Sequence, residues 1–345
     1  MIRPESGVEL LTETTVVAHL RGRGLLGTGP VTVEALGGGV SNVVLAVSGP
    51  DGGGLVVKQA LPRLRVAEEW TAPTGRTLTE AAALLVAARV TPDAVPPMLD
   101  TDEHRHVLVQ RRAPAAWRDW KSMLLGGTAD PELAARLGEL LAAWHSATTD
   151  VARLPQRVAD GAEAFEQLRI DPYYRSVARQ VPPELGRRIL AAAEALGERR
   201  RCLVHGDFSP KNVLVAPAGT ACWVIDFEVA HPGDPVFDLA FLLCHLALKS
   251  VHRPAFALGY GRCMTAFAAR YEDQVDPVLA PSWPDVLRHV GCLLLARVRG
   301  KSPAEYLGAA EWETAWRLGT TLLIDDGAGA TGVGDLQARL AEVLR

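Results

Sequence analysis

Two short apolar segments interrupt the helical second half of the chain, and polar residues follow each of them. The segments are "CLVHGDFSPKNVLV" at 202–215 and "ACWVIDFEV" at 221–229. Apolar runs bounded by turn-forming residues predict short strands. Polar groups held at the ends of strands are typical of a functional site. These segments therefore restrict the fold to one that brings two strand ends together inside a helical lobe.

Asp207, Asn212 and Asp226 have a spacing that suits phosphoryl transfer. Four residues separate Asp207 from Asn212, and Asp226 follows Asn212 by fourteen positions. One carboxylate orients a hydroxyl nucleophile and accepts its proton, while an amide oxygen and a second carboxylate hold magnesium against the phosphates. We expect Asp207 to be the catalytic base, and Asn212 and Asp226 to bind the metal. A loop-capping network is the structural alternative for Asp207 and Asn212, since Asp, Ser, Pro and Asn all favour turns.

Length and composition limit the class of protein. A chain of 345 residues is long enough for two lobes with separate cores. The net charge of −4, from 36 basic and 40 acidic residues, argues against a nucleic-acid partner. Five widely spaced cysteines in apolar surroundings predict buried free thiols. The absence of a signal-like start and of a membrane-length apolar run predicts a cytoplasmic protein with no membrane partner.

The two parts of the chain differ in their predicted secondary structure. From about Val31, short β-rich runs flank a glycine run and a second turn, which predicts an antiparallel meander. A helical run begins near Thr79, and the strand "HVLVQR" precedes a proline-containing connector. Helical stripes dominate afterwards, with one introduced by Pro131. We therefore predict an N-terminal nucleotide-binding lobe at 1–112 and a C-terminal catalytic and substrate-binding lobe at 113–345.

Three motifs together resemble the superfamily of aminoglycoside phosphotransferases and choline kinases. They are "HGDFSPKN" at 205–212, "IDFE" at 225–228 and "GDPVFDLAFL" at 233–242. The resemblance implies an α+β, two-lobed, protein-kinase-like fold, with a small antiparallel β N-lobe and a larger, mainly helical C-lobe. It also implies ATP and Mg²⁺ as cofactors.

The resemblance assigns further roles near the catalytic loop. It implies that His205 and Gly206 shape this loop and that Asp238 braces it, although Asp238 is equally suited to cap the following helix. Glu228 stands where many members have a second aspartate, so it is a candidate ligand for a second magnesium or for a metal-bound water.

The N-terminal part supplies the nucleotide candidates. Glycines bring the backbone close to phosphate oxygens, although "GGG" alone is more often a mobile turn. A lysine in an apolar strand is usually a snorkelling or edge residue, but a preceding glycine loop and a following helical glutamate favour the kinase-type pair of Lys58 and Glu80. Backbone groups from Gln110 to Arg112 would meet adenine. The predicted nucleotide-binding residues are Gly38, Gly39, Ser41, Asn42, Lys58, Glu80, Gln110 and Arg112.

The segment from Val56 to Leu84 is similar to the N-lobe of methylthioribose kinases. The similarity involves Lys58 to Pro62, Trp70, Arg76 and Glu80. Two tyrosines and an arginine in "DPYYRSVARQ", inside a predicted insert at about 148–185, are candidates for acceptor contacts. Trp117 and Trp120 are further stacking candidates, whereas Trp144 lies on a helical stripe and is expected in the core. We expect Lys301, in "RGKSPAEYL", to be solvated.

The leading hypothesis is an ATP-dependent phosphotransferase that phosphorylates a hydroxyl of a small molecule, either a sugar-like metabolite or a natural product. The alternatives are an antibiotic O-phosphotransferase and a nucleotide-binding regulator without turnover. A protein kinase is disfavoured because Phe-Glu follows Asp226 where protein kinases have Phe-Gly, and no Ala-Pro-Glu anchor follows. The identity of the acceptor and the oligomeric state stay open.

Overall fold

A five-stranded antiparallel sheet forms the centre of the N-lobe. The computed structural model describes residues 9–37, 41–49, 53–65, 71–219, 221–325 and 327–345. The strand order is β1-β2-β3-β5-β4. The strands are β1 (Thr32–Ala35), β2 (Asn42–Ser48), β3 (Gly54–Ala60), β4 (Met98–Asp102) and β5 (Val107–Arg111). The predicted meander is therefore confirmed for β1 to β3, which pair in sequence order.

Two helices accompany this sheet. Helix α1 (Val16–Gly22) packs Val16 and Leu20 against a small apolar cluster that includes Val57 of β3. Helix α2 (Arg76–Val90) begins three residues before the predicted start at Thr79, so Glu80 lies within the helix. Lys58 pairs with Val44 on one side and Leu108 on the other, which makes β3 a central strand. The sheet and α2 thus bring Lys58 and Glu80 face to face.

The C-lobe is mainly helical. Helix α4 shows why the sequence folds this way: Pro131 occupies its first turn, and the Asp130 side chain accepts hydrogen bonds from the backbone N–H groups of Glu132 and Leu133. The helices are α3 (Trp120–Leu125), α4 (Pro131–Ala147), α5 (Gln156–Ala159), α6 (Ala162–Phe165), α7 (Ser176–Ala178), α8 (Pro183–Glu198), α9 (Val236–His252), α10 (Ala257–Gln274), α11 (Trp283–Arg299), α12 (Ala309–Ile324) and α13 (Val333–Leu344).

A ten-residue π-helix, Glu166–Arg175, lies in the predicted insert and contains Pro172. Proline has no backbone N–H and cannot complete a regular helical turn, so the backbone widens around it. This segment supplies Arg169 to the site described below.

Two small antiparallel sheets carry the polar segments of the C-lobe. Strands β6 (Arg118–Asp119), β8 (Val213–Val215) and β9 (Cys222–Val224) form one, and β7 (Cys202–Val204) pairs with β10 (His231–Gly233) in the other. Val213 lies opposite Val224, so the residues before β8 and after β9 meet at one end of the sheet. This register brings the two polar segments together.

The predicted fold class is confirmed: the protein has a small β lobe and a larger helical lobe. The lobe boundary at 112/113 stays a prediction. All five cysteines are free and buried, as predicted. Among the described residues, none of the helices combines the length and apolar character needed to cross a bilayer.

Candidate active site

The catalytic loop leaves β7 through His205, Gly206 and Asp207. Gly206 has a φ of +75°, and a Cβ atom at this position would lie 2.8 Å from the carbonyl oxygen of Val229. The loop therefore needs glycine for both its backbone conformation and its close packing. Asp238 braces it, because one carboxylate oxygen accepts from the His205 N–H at 2.7 Å and the other from the Gly206 N–H at 2.9 Å. The alternative helix-cap role of Asp238 is wrong, since Asp238 is the third residue of α9.

The buried carboxylate of Asp207 receives all of its side-chain donors on one oxygen. Oδ2 lies 2.9 Å from Asn212 Nδ2, 2.9 Å from Lys211 Nζ and 3.0 Å from Arg169 Nη2. Burial works against the charged form, but the positive charges of Arg169 and Lys211 outweigh it and lower the pKa of Asp207. Among the described residues, Oδ1 is the oxygen left for an incoming hydroxyl.

His205 is a buried, neutral part of the loop. Its Nδ1 accepts from the Asp207 N–H at 3.1 Å, so Nε2 carries the proton and donates to the carbonyl oxygen of Ile225 at 3.2 Å. Burial lowers the pKa of His205. The ring thus links the catalytic loop to the strand end that carries Asp226.

Asp226 stands directly beside the catalytic loop. The Ile225 N–H donates to the carbonyl oxygen of Asn212 at 2.9 Å, which fixes the two segments side by side. Asp226 has a φ of +73°, a left-handed conformation that aspartate tolerates better than most residues. Burial opposes its charged form, but Lys58 and then Lys211 outweigh that effect and hold the pKa of Asp226 below its usual range. Asp226 is therefore a fixed, ionised carboxylate.

Lys58 connects the two lobes. Its Nζ lies 2.7 Å from Glu80 Oε1 and 2.6 Å from Asp226 Oδ1. Burial alone would lower the pKa of this lysine, but the carboxylates of Asp226 and Glu80 raise it above the usual value. The predicted pair of Lys58 and Glu80 is therefore present, and Lys58 is a charged group at the junction of the two lobes.

Glu228 faces the N-lobe. Oε1 accepts from Ser41 Oγ at 2.7 Å, while Oε2 accepts from Asn42 Nδ2 at 2.9 Å and Arg76 Nε at 3.0 Å. The Arg76 guanidinium also donates to the carbonyl oxygens of Ser41 and Leu61. Both oxygens of Glu228 are thus engaged in a contact between the lobes, and its role as a ligand for a second magnesium stays a prediction.

The remaining nucleotide candidates have less definite surroundings. Gly38 and Gly39 lie outside the described residues, as does Trp70. The Arg112 N–H donates to the carbonyl oxygen of Gly54 at 2.8 Å, and its side chain pairs with Glu34 at 2.8 Å. Gln110 is buried within β5, and its Oε1 has no hydrogen-bond partner among the described residues. Adenine contacts from Gln110 to Arg112 stay a prediction.

Sequence reasoning assigned no site role to three residues that hold the site together. Arg169 and Lys211 bond Asp207, and Arg76 bonds Glu228. Lys211 was visible as the residue before Asn212 in the motif, and Arg76 was visible in the N-lobe similarity. The local sequence around Arg169 gave no such signal, because this arginine lies 38 positions before Asp207 on a different element.

The aromatic candidates divide between the core and the site. Tyr174 and Trp120 are fully buried, and the Tyr174 hydroxyl bonds His289 Nδ1 at 3.0 Å. Trp144 is buried, as expected. Tyr173 stacks on Phe241 with ring centroids 6.0 Å apart. Lys301, which was expected to be solvated, is half-buried and lies 3.3 Å from Asp171.

Comparison with known proteins identifies the family. The sequence profile of the phosphotransferase enzyme family matches residues 32–275. The chain belongs to the phosphotransferase enzyme family. It is 28% identical over 375 aligned residues to a methylthioribose kinase of Pectobacterium atrosepticum, covering 91% of this chain and 92% of that one. A methylthioribose kinase of Oryza sativa subsp. japonica is 26% identical over 276 residues, covering 71% of this chain and 64% of that one.

Solved structures share the fold. An amicoumacin kinase in complex with AMP-PNP and Ca²⁺ superposes with a TM-score of 0.53 at 16% identity, covering 91% of this chain and 93% of that one. The GDP complex of an aminoglycoside phosphotransferase gives a TM-score of 0.51 at 16% identity, covering 92% of this chain and 98% of that one. Family membership and the kinase relatives make the chain an ATP-dependent small-molecule kinase that phosphorylates a hydroxyl.

Proposed function

We propose that Asp207 is the catalytic base of this kinase and that Asn212 and Asp226 hold the metal–nucleotide complex. The proposal rests on the hydrogen bonds that join these residues. Asn212 Nδ2 donates to Asp207, and the N–H of Ile225, the residue before Asp226, donates to the carbonyl oxygen of Asn212. Asp207 Oδ1 orients the acceptor hydroxyl and takes its proton as the phosphoryl group transfers. A base with a lowered pKa suits a loose transition state, in which the proton leaves late.

The metal is Mg²⁺ in this proposal. The amide nitrogen of Asn212 is used by both of its bonds to Asp207, so its oxygen is the atom available for a metal. Asp226 offers Oδ2, since Oδ1 accepts from Lys58. Two protein oxygens, with phosphate oxygens and water completing the shell, suit the preference of Mg²⁺ for few protein ligands. When bound, the ion would neutralise charge on the phosphates.

The nucleotide lies between the lobes. Lys58, held by Glu80 and Asp226, presents its ammonium group to phosphate oxygens. Ser41 and Asn42 are at the start of β2 and would approach the phosphates with the preceding glycine run. Both residues also contact Glu228, which acts in this proposal as a link between the lobes.

The acceptor is a small hydroxylated, sugar-like molecule. The relative from Pectobacterium atrosepticum, which aligns with 91% of this chain, is named a methylthioribose kinase and supports a sugar-like acceptor. Arg169 and Lys211 place two positive charges beside the single negative charge of Asp207. This charge disfavours a polycationic aminoglycoside, because like charges repel in a desolvated cleft.

The test is the substitution Asp207→Asn. We expect turnover, measured as ADP release with an acceptor identified by screening sugars and natural products, to fall by roughly 10²- to 10⁴-fold. The affinity for Mg²⁺–ATP should change little, because Asp207 does not contact the nucleotide in this arrangement.

The matched control is Asp100→Asn, which makes the same chemical change at an aspartate bonded to Arg23 in the N-lobe. It should retain the turnover of the original protein. Near-normal turnover of the Asp207→Asn protein would refute the assignment of the base.

A further inference from the structure

One face of α9 leads away from the catalytic loop and carries basic residues. Phe241, His245 and Lys249 are spaced four residues apart, so they lie along one side of the helix. Asp238, one turn before Phe241, bonds the backbone of the catalytic loop. The face therefore begins at the loop that carries Asp207.

Lys249 is a buried lysine whose amine has no carboxylate beside it among the described residues. Lys249 is only 1% exposed, and its Nζ donates to the Tyr306 hydroxyl at 3.1 Å. Nζ also lies 4.8 Å from the centre of the Tyr306 ring. Within the described residues, no carboxylate is within ion-pair distance of it. Burial, and then the positive charges of Arg297 and Lys121, lower the pKa of Lys249 to about 7. A buried ammonium without a carboxylate is costly, so this arrangement calls for an anion.

The neighbours of Lys249 include two buried donors without a hydrogen-bond partner, while the carboxylate of Asp119 acts on Lys249 only as a minor charge. Over the described ranges, Nδ1 of His245 and Nε of Arg297 are buried and have no hydrogen-bond partner. The other bonds of Arg297 go to the uncharged Ser302. Burial lowers the pKa of His245, and so do nearby positive charges, of which Lys249 and Arg297 are the largest. We call Lys121, Lys211, His245, Lys249 and Arg297 the α9 cation cluster.

A chain of side-chain contacts connects Asp207 with the cluster. Arg169, which bonds Asp207, is stacked over the Tyr173 ring at 5.7 Å and the Phe241 ring at 5.8 Å. Phe241 in turn meets the His245 ring edge-on at 5.0 Å. Eight residues of helix separate Phe241 from Lys249, or about 12 Å. His245 lies one turn before Lys249 on this face, and Lys211 of the same cluster bonds Asp207 directly.

Solvent reaches one end of the cluster. Lys211 has half of its side chain exposed, and Lys121 is partly exposed, whereas His245 and Lys249 are buried. The basic side chains therefore become less accessible to solvent from Lys211, beside the base, to Lys249 in the interior. Desolvated donors discriminate strongly between an anionic and a neutral ligand group.

We infer that the α9 cation cluster is a subsite for an anionic oxygen group, a carboxylate or a phosphate, on the acceptor whose hydroxyl meets Asp207. The inference rests on the proposed function. Methylthioribose carries no such group, and aminoglycosides carry the opposite charge, so neither explains a buried lysine that has no carboxylate within ion-pair distance in the described part of the chain. The acceptor class assigned here is a hydroxylated acid or a sugar phosphate.

The experiment compares three probes by calorimetry at pH 6.5: D-ribose, D-ribonate and D-ribose 5-phosphate. Saturating Mg²⁺ and AMP-PNP occupy the nucleotide site, so the anions report on another site. We expect at least one anionic probe to bind about 10- to 100-fold more tightly than ribose. The better anion distinguishes a carboxylate subsite from a phosphate subsite.

Lys249→Met should remove this preference, because methionine keeps the length of the side chain without its charge. Lys301→Met is the matched control: it removes a lysine already paired with Asp171 and should leave the preference intact. Lys121→Met, at the partly exposed end, should weaken the preference about threefold and serves if the Lys249 variant does not fold.

The inference is overturned if ribose binds as tightly as both anions, or if the preference survives in the Lys249 and Lys121 variants. Failure of the proposed function looks different. In that case AMP-PNP does not bind or no acceptor releases ADP, while the anion preference and its loss in Lys249→Met are still measured.

Discussion

Asp226 and Glu228 stand two residues apart and face different partners. Asp226 turns toward Lys58 and the catalytic loop, whereas Glu228 accepts three hydrogen bonds from the N-lobe. The Arg76 side chain is fully buried and that of Glu228 is 7% exposed, so the pair is shielded from solvent. Removing one partner of such a pair leaves the other charge buried and uncompensated.

Glu228→Gln should therefore lower stability more than it alters metal use. We expect the free energy of unfolding in urea to fall by about 3 kcal/mol, while the Mg²⁺ concentration for half-maximal turnover changes less than about threefold. Glu34→Gln, which breaks the exposed pair with Arg112, is the control and should change stability by less than about 1 kcal/mol. Unchanged stability with a tenfold higher Mg²⁺ requirement would instead make Glu228 a metal ligand.

Helices α4 and α10 pack closely enough that one position of α4 has no room for a side chain. A Cβ atom on Gly138 would lie 2.3 Å from the carbonyl oxygen of Phe267 in α10. Helix α4 also carries His145, whose Nδ1 lies 2.9 Å from the Tyr271 hydroxyl of α10. The spacing of these helices therefore depends on a glycine that costs helix propensity.

Gly138→Ala tests this contact. Alanine favours a helix over glycine by about 1 kcal/mol, but here the clash with backbone should outweigh that gain and lower the free energy of unfolding by roughly 1–3 kcal/mol. Gly197→Ala in α8 is the control, since a Cβ atom there meets nothing within 4 Å. It should be neutral or stabilising. Equal effects of the two substitutions in urea unfolding would contradict the close contact.

Several histidines are buried as neutral rings in the C-lobe. Burial lowers the pKa of both His231 and His289 to about 4. An unfolded histidine binds a proton below about pH 6.5, whereas these two do so in the folded chain only near pH 4. The unfolded state therefore binds more protons between these values, and stability must fall as the pH falls through this window.

His289→Gln should reduce that pH dependence. We expect the slope of the unfolding free energy between pH 5 and 6.5 to decrease by up to about 1.4 kcal/mol per pH unit. His104→Gln, at an exposed position, should leave the slope unchanged. The measurement is a series of urea unfolding curves across the window. An unaltered slope in the His289 variant would mean that this ring is already protonated in the folded protein.

Sequence predicted the parts of the molecule that local pattern encodes. Helix α4 begins at Pro131, directly after its N-cap residue Asp130. Asp207 and Asn212, which the motif spacing linked, are joined by a hydrogen bond within one loop. The pair of Lys58 and Glu80 followed from a strand and helix in sequence order.

Long-range contacts were less accessible to sequence reasoning. Arg169, which lies on the π-helix, contacts Asp207. Lys249 bonds Tyr306, which is 57 positions later in the sequence. In the segment that contains Tyr306, the sequence pointed only to Lys301. Glu228 was assigned by analogy to a metal, whereas its partners Ser41, Asn42 and Arg76 come from the other lobe. Such contacts join residues that are far apart in the sequence, so a local sequence pattern does not encode them.

The five buried thiols lie in β7, β9, α9, α10 and α11, and the N-lobe sheet contains none. Burial raises the pKa of these thiols, Cys244 and Cys263 to about 12. A thiol reacts with alkylating reagents as the thiolate, so these groups become reactive only when the surrounding helices open. Alkylation kinetics thus report local unfolding of the helical lobe alone, and mass spectrometry of each labelled cysteine would rank its helices by how often they open.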